Sequence, residues 1–231
     1  MSFGNIKVVK QFMKGIYNEN PPKPKYAKIW DPDQVLKLLR MWSPAEKLEF
    51  KRLTMKTVML VLLVSGQRGQ ILRAMTVENM DIQTGKYIFH IENADIKQGR
   101  PGFKLEPIVL RGYPADRRLC IHTYLTKYLE RTLEKRGEIK ELFITTTKPY
   151  KVASRDTISR WLKSVLRLAG IDTNQFGAGS TRSASTSKAK QQGATLDQIM
   201  KAGGWTQTST FQRFYHKALV KENSLDEFVL K

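Results

Sequence analysis

One cysteine, three histidines and a shortage of acidic side chains limit what this 231-residue chain can be. A lone thiol, Cys120, permits no disulfide within the chain and no cysteine-rich metal site, which fits a reducing compartment. His90, His122 and His216 stand far apart in no ligand spacing, so no metal is expected. The longest apolar run, Val58 to Val64, is far short of the ~20 residues that cross a bilayer. The N-terminus is polar and mixed, unlike a secretory signal, and no internal repeat or low-complexity segment is present. The expectation is a soluble intracellular protein without membrane contact.

What the chain has in excess is positive charge. Lys plus Arg number 40 against 21 for Asp plus Glu, for a net charge of +19 and a calculated pI of about 10.0. The excess is dispersed along the chain rather than gathered on one amphipathic helix, which favours nucleic acid over a lipid surface. An apolar fraction of 41% is that of a folded protein, and the length suffices for one core with a short appendage.

Residues 1–26 read as an N-terminal helical extension and linker. A helical pattern over 6–16 runs into Pro21-Pro-Lys-Pro24, which cannot continue a helix. Residues 27–231 read as one α+β unit, mainly helical, with one small antiparallel sheet. Asp31-Pro32 places Asp at a helix N-cap and Pro at its first position. Ser43-Pro-Ala-Glu46 and Thr195-Leu-Asp-Gln198 have the spacing of capping boxes. Apolar spacing predicts helices over 53–64, 116–135, 154–168, 180–192, 210–217 and 224–230. Alternation predicts strands over 80–82, 86–91 and 106–110, with a hairpin tip at 96–102.

The last third holds Gly179-Ser-Thr-Arg182, Gly204-Trp205 and Phe214-Tyr215 in close order. Breaking a phosphodiester through an enzyme nucleophile needs an attacking oxygen, cations on the non-bridging oxygens, an acid for the leaving oxygen, and a base. Tyrosine can attack and conserve the bond as an ester. Arginine can hold two phosphate oxygens and stays charged, while a desolvated lysine can act as acid. Each residue also has a plainer reading. Tyr215 would pack with Phe211 at i and i+4, Trp205 would sit in a core, and Arg68, Arg182 and Lys97 would be solvated charges. The small run after Arg182 (Ser183-Ala-Ser-Thr-Ser187) would allow close approach to a phosphate backbone.

In that order, Arg68, Lys97, the Gly179–Arg182 box, Trp205 and Tyr215 resemble the catalytic series of the tyrosine recombinases, or phage-integrase-like recombinases. Ser65-Gly-Gln-Arg-Gly-Gln-Ile71, Lys97-Gln-Gly-Arg-Pro-Gly102, Arg118-Leu-Cys120, Tyr128-Leu-Glu-Arg-Thr132 and Ser180-Thr-Arg-Ser-Ala-Ser185 are similar to the Crypton and DIRS branch of eukaryotic mobile elements. The resemblance implies a tyrosine-recombinase catalytic domain over 27–231, ending in a tail helix that docks on a neighbouring subunit, as in relatives, or packs on its own domain. It implies that Arg68 and Arg182 clamp the scissile phosphate and Lys97 protonates the leaving 5′ oxygen. Trp205 would buttress the phosphate, and Tyr215 would attack to give a 3′-phosphotyrosine. Arg100, Lys104, Lys148, Lys151, Arg155 and Arg160 are the candidate DNA contacts.

No cofactor is implied. The partners would be double-stranded DNA and further copies of the chain, as a dimer or tetramer. The resemblance also implies DNA integration, transposition and a nuclear location, or the cytoplasm or nucleoid if the source is not eukaryotic. One position departs from the pattern: Gly179 stands where the family's box usually begins with His. That predicts an attenuated enzyme, and it leaves open an inactive, domesticated DNA-binding protein. A type IB topoisomerase would share the chemistry.

Overall fold

A computed structural model describes residues 6–92 and 105–220 of the chain. The hairpin tip with Lys97, Arg100 and Lys104, and the tail helix expected over 224–230, lie outside the described residues.

Helix α1 spans Lys7–Glu19, longer than its apolar spacing suggests, and buries none of its side chains. The chain then enters strand β1 (Lys28–Trp30) and helix α2 (Pro32–Met41). The Asp31 carboxylate accepts from the Asp33 N–H, so the expected N-cap forms. Ser43 does not open a capping box. Its hydroxyl donates to the Arg40 carbonyl at 2.9 Å, ending α2 instead of starting α3.

Helix α3 (Phe50–Ser65) is the centre of the molecule and is buried on every side from Leu53 to Leu62. It packs on α5 (Ile121–Arg136), α6 (Arg155–Leu168) and α7 (Ser180–Gln191). Among its buried residues is Lys56. Its ammonium donates to the carbonyls of Leu39, Trp42 and Arg118 at 2.6–2.7 Å and lies 3.6 Å from the Tyr124 ring centroid. Three acceptors for three protons explain how the charge is tolerated in the core.

After the short helix α4 (Ile71–Ala74), strands β2 (Met80–Gln83), β3 (Lys86–Phe89) and β4 (Ile108–Arg111) form the antiparallel sheet. Its register pairs Met80 with Phe89 and Phe89 with Ile108. The inward residues Tyr87, Phe89, Ile108 and Leu110 lie in the main core.

Helix α8 (Leu196–Gly203) opens on the expected capping box, with both reciprocal bonds between Thr195 and Gln198 present. Helix α9 spans Thr208–Phe214 and stops one residue before the tyrosine, although its spacing predicted a helix through Lys217. Strand β5 (Ala218–Val220) takes over and pairs parallel with β1, joining the two ends of the described chain. This parallel pair was not expected. Around α8 and α9 a small satellite core gathers Ile199, Trp205 and Phe211, with Tyr215 packed against it.

Candidate functional site

The turn after α3 brings the first arginine inward. Gly66 caps the helix with φ +61°, and a Cβ there would stand 3.0 Å from Thr186 Cγ2 on α7. Ser185 of α7 donates to the Leu63 carbonyl at 2.7 Å, fastening the two helices where that turn begins. Gln67 is buried and donates to the Ala202 carbonyl at 2.6 Å, tying the same turn to the end of α8. Gln67 stands in the Ser65–Ile71 motif, but no signal in the sequence points to this role.

Helix α7 has no apolar stripe, yet Ser180 through Ala184, Thr186 and Ser187 are buried. The hydroxyls make this possible by finding carbonyls. Thr181 donates to Ala178, Thr186 to Arg182, and Ser183 and Ser187 both donate to Tyr215. The indole of Trp30 donates to Ser180 Oγ at 2.8 Å. Lys188 binds Asp31 and Asp33, at 3.3 and 2.6 Å. The small residues of α7 therefore serve as polar fasteners within the protein.

Arg182 sits at the middle of this assembly with 3% of its surface exposed. Its guanidinium carbon is 3.6 Å from the Trp205 ring centroid and 5.1 Å from that of Tyr215. The Trp205 and Tyr215 rings meet edge to face with centroids 5.0 Å apart. Gly203 makes room for the indole, since a Cβ there would stand 1.9 Å from Trp205 Cζ3.

Arg182 Nε, Nη1 and Nη2 and the Trp205 indole nitrogen are all buried with no hydrogen-bond partner among the described residues. Buried donors of this kind are rare, and each costs about 1–3 kcal/mol unsatisfied, more when charged. Burial pushes the Arg182 pKa down to about 9, helped by the nearby Arg68 charge and opposed by Tyr215. An anion is the kind of acceptor that these donors lack. Phosphate has the right charge and oxygens.

A cleft of about 290 Å³ opens beside these groups, lined by Arg68, Gly179, Arg182 and Tyr215 together with Gln70 and Arg155. The structure thus brings Arg68, Arg182, Trp205 and Tyr215 to one place. It puts Gly179 at the N-cap of α7 on the wall of the cleft, and a Cβ there meets nothing within 4 Å. Of the expected DNA contacts, Arg155 reaches the cleft, while Lys148, Lys151 and Arg160 are exposed outside it. His216 stacks on Phe211 at 5.9 Å, away from the cleft lining.

The model of the phage integrase family matches residues 28–220, from β1 to β5. The chain belongs to the phage integrase family. No curated protein sequence matches it. Among solved structures, this integrase chain is similar to XerH site-specific recombinase bound to difH substrate in a pre-cleavage complex. That match has a TM-score of 0.60 and 14% identity, and covers 82% of this chain and 50% of that one. It is similar to XerA recombinase with a TM-score of 0.61 and 19% identity, over 97% of this chain and 72% of that one. A lambda integrase dimer bound to a COC′ core site matches with a TM-score of 0.51 and 15% identity, over 94% and 75%. At these identities the likeness is one of fold, and this integrase chain spans only half the length of the XerH chain. Among the described residues, no helix is long and apolar enough to cross a membrane.

Proposed function

We propose that the chain is the catalytic domain of a tyrosine recombinase that cuts and rejoins duplex DNA in site-specific recombination. The observation that carries this reading is the set of four buried donor atoms on Arg182 and Trp205 with no partner among the described residues, beside a half-buried tyrosine and a second arginine. The Tyr215 phenolic oxygen attacks phosphorus and forms an O–P bond as the bond from phosphorus to the 5′ oxygen breaks. The phenol loses its proton to solvent, because Gly179 offers no base. The 5′ oxygen gains a proton from Lys97, by the family resemblance. Arg68, Arg182 and the Trp205 N–H hold the non-bridging oxygens. Attack by the 5′ hydroxyl of a second strand reverses the step and releases the tyrosine.

Tyr215 lies against Arg182 of its own chain, which supports attack in cis. The motifs around Arg68, Lys97 and Arg182 support a place near the Crypton and DIRS recombinases, hence a mobile element, transposition and a nuclear location. In this reading 1–26 is an extension and linker ahead of the catalytic domain, and the tail over 224–230 docks on a neighbouring copy in a dimer or tetramer.

The test is a nicked suicide duplex, whose cleaved fragment diffuses away and prevents religation. On a denaturing gel the native chain should yield a covalent protein–DNA adduct, and Tyr215→Phe none. Gly179 favours a second reading, a recombinase-derived protein that binds DNA without cutting it. Salt-sensitive binding with no adduct after long incubation, unchanged by Tyr215→Phe, would support that reading and overturn the first.

A further inference from the structure

Ser180, Ser183 and Ser187 lie on one face of α7, at spacings of three and four residues. A helical serine usually turns its hydroxyl back to the carbonyl one turn before it, as Thr186 does to Arg182 at 2.8 Å. Ser183 and Ser187 instead reach across to another segment. Ser183 Oγ donates to the Tyr215 carbonyl at 2.7 Å, and Ser187 Oγ donates to the same oxygen at 2.9 Å. Ser187 Oγ also accepts from the Lys217 N–H at 2.9 Å. Both serines are buried, at 3% and 2% exposure.

The Tyr215 carbonyl belongs to the residue that caps α9, whose own N–H donates to the Phe211 carbonyl, as does that of His216. At an ordinary helix end such a carbonyl faces water. Here two hydroxyls of the arginine-bearing helix saturate its two lone pairs, and a third bond holds the chain two residues on. The ring contacts of Tyr215 with Trp205 and Arg182 are soft and set no fixed distance. The main-chain bonds do.

We propose that Ser183 and Ser187 are positioning residues that lock the Tyr215 main chain to α7, so that the nucleophile and Arg182 move as one body. This rests on reading Tyr215 as the nucleophile. The hydroxyls touch no DNA; they act only through the tyrosine's backbone.

In the full chain, the double variant Ser183→Ala, Ser187→Ala should form the suicide-substrate adduct about 10- to 100-fold more slowly, the scale of a misplacement near 1 Å. Duplex binding at fixed salt should not change. The same pair of substitutions is then placed in Tyr215→Phe, with hydrogen peroxide supplied as the nucleophile. A peroxide oxygen attacks phosphorus, the bond to the 5′ oxygen breaks, and that oxygen takes a proton. This route needs the arginines and no tyrosine, so the serine changes should leave its rate unaltered. Equal losses by both routes would overturn the positioning role and mark general damage to α7.

Amide hydrogen exchange on the DNA-free chain gives a readout that needs no activity. Ser187→Ala should accelerate exchange at Lys217 while the interior of α9 keeps its protection. Unchanged exchange at Lys217 would refute the clamp. A native chain that forms no adduct, yet shows this acceleration, would count against Tyr215 as nucleophile and leave the clamp standing.

Discussion

Arg182 is held in a state that costs stability. Its guanidinium keeps stacking contact with Trp205, but none of its three nitrogens has an acceptor among the described residues. Arg182→Met keeps most of the stem and removes the uncompensated charge. The variant should therefore melt higher than the native chain without DNA, by about 1–3 kcal/mol in unfolding free energy. It should also lose adduct formation entirely. Calorimetric melts of the two proteins check the sign, and a lower melting temperature in Arg182→Met would show that the guanidinium is already satisfied. Gly179 makes the complementary case, since its position is open and its φ of −67° suits any residue. Gly179→His should fold normally and raise the cleavage rate, by up to about 10²–10⁴ if the imidazole moves the phenol's proton. Normal binding with no faster cleavage would show that the missing base is not what limits the enzyme.

At the scale of elements, short-range chemistry was legible and long-range chemistry was not. The N-cap at Asp31 and the capping box at Thr195 follow from residues two or three positions apart, and both form. The box expected at Ser43 fails because the Arg40 carbonyl wins its hydroxyl. Helix α9 stops before Tyr215 because α7 takes the tyrosine's carbonyl and β1 takes the strand that follows. Neither partner is near in sequence, so no local period could show it. The order of Arg68, Arg182, Trp205 and Tyr215 was readable only through family resemblance, since each alone fits a packing or solvated role. The burial of α7 was unreadable because its run of hydroxyls looks like an exposed face.

Helix α3 carries a testable consequence of the same kind. Burial pushes the Lys56 pKa down to about 7 against the pull of Asp116, while its three carbonyl acceptors favour the charged form. The folded pKa lies below the unfolded value of 10.5, so the unfolded chain binds the extra proton between these limits. The contribution of Lys56 to stability should rise with pH from about 7 toward 10.5, and Lys56→Met should flatten that rise. Denaturant unfolding across this range, in both proteins, measures it. Parallel pH profiles would mean that the ammonium stays protonated throughout.

For the whole molecule, a net charge of +19 favours a polyanion such as the proposed duplex DNA without selecting a site, because phosphate contacts carry no sequence information. In the proposed reading, selection for chemistry comes from the cleft where α3, α6, α7 and the end of α9 meet. There Arg68 and Arg182 converge beside Tyr215, a place suited to an anion such as the backbone phosphate of the proposed substrate. The most direct measurement is mass spectrometry of protease digests after incubation with the suicide duplex. A peptide containing Tyr215 and carrying a nucleotide through a phosphate ester on its phenol is the predicted result. A nucleotide on any other side chain, or none on any peptide while the duplex is demonstrably cut, would contradict it.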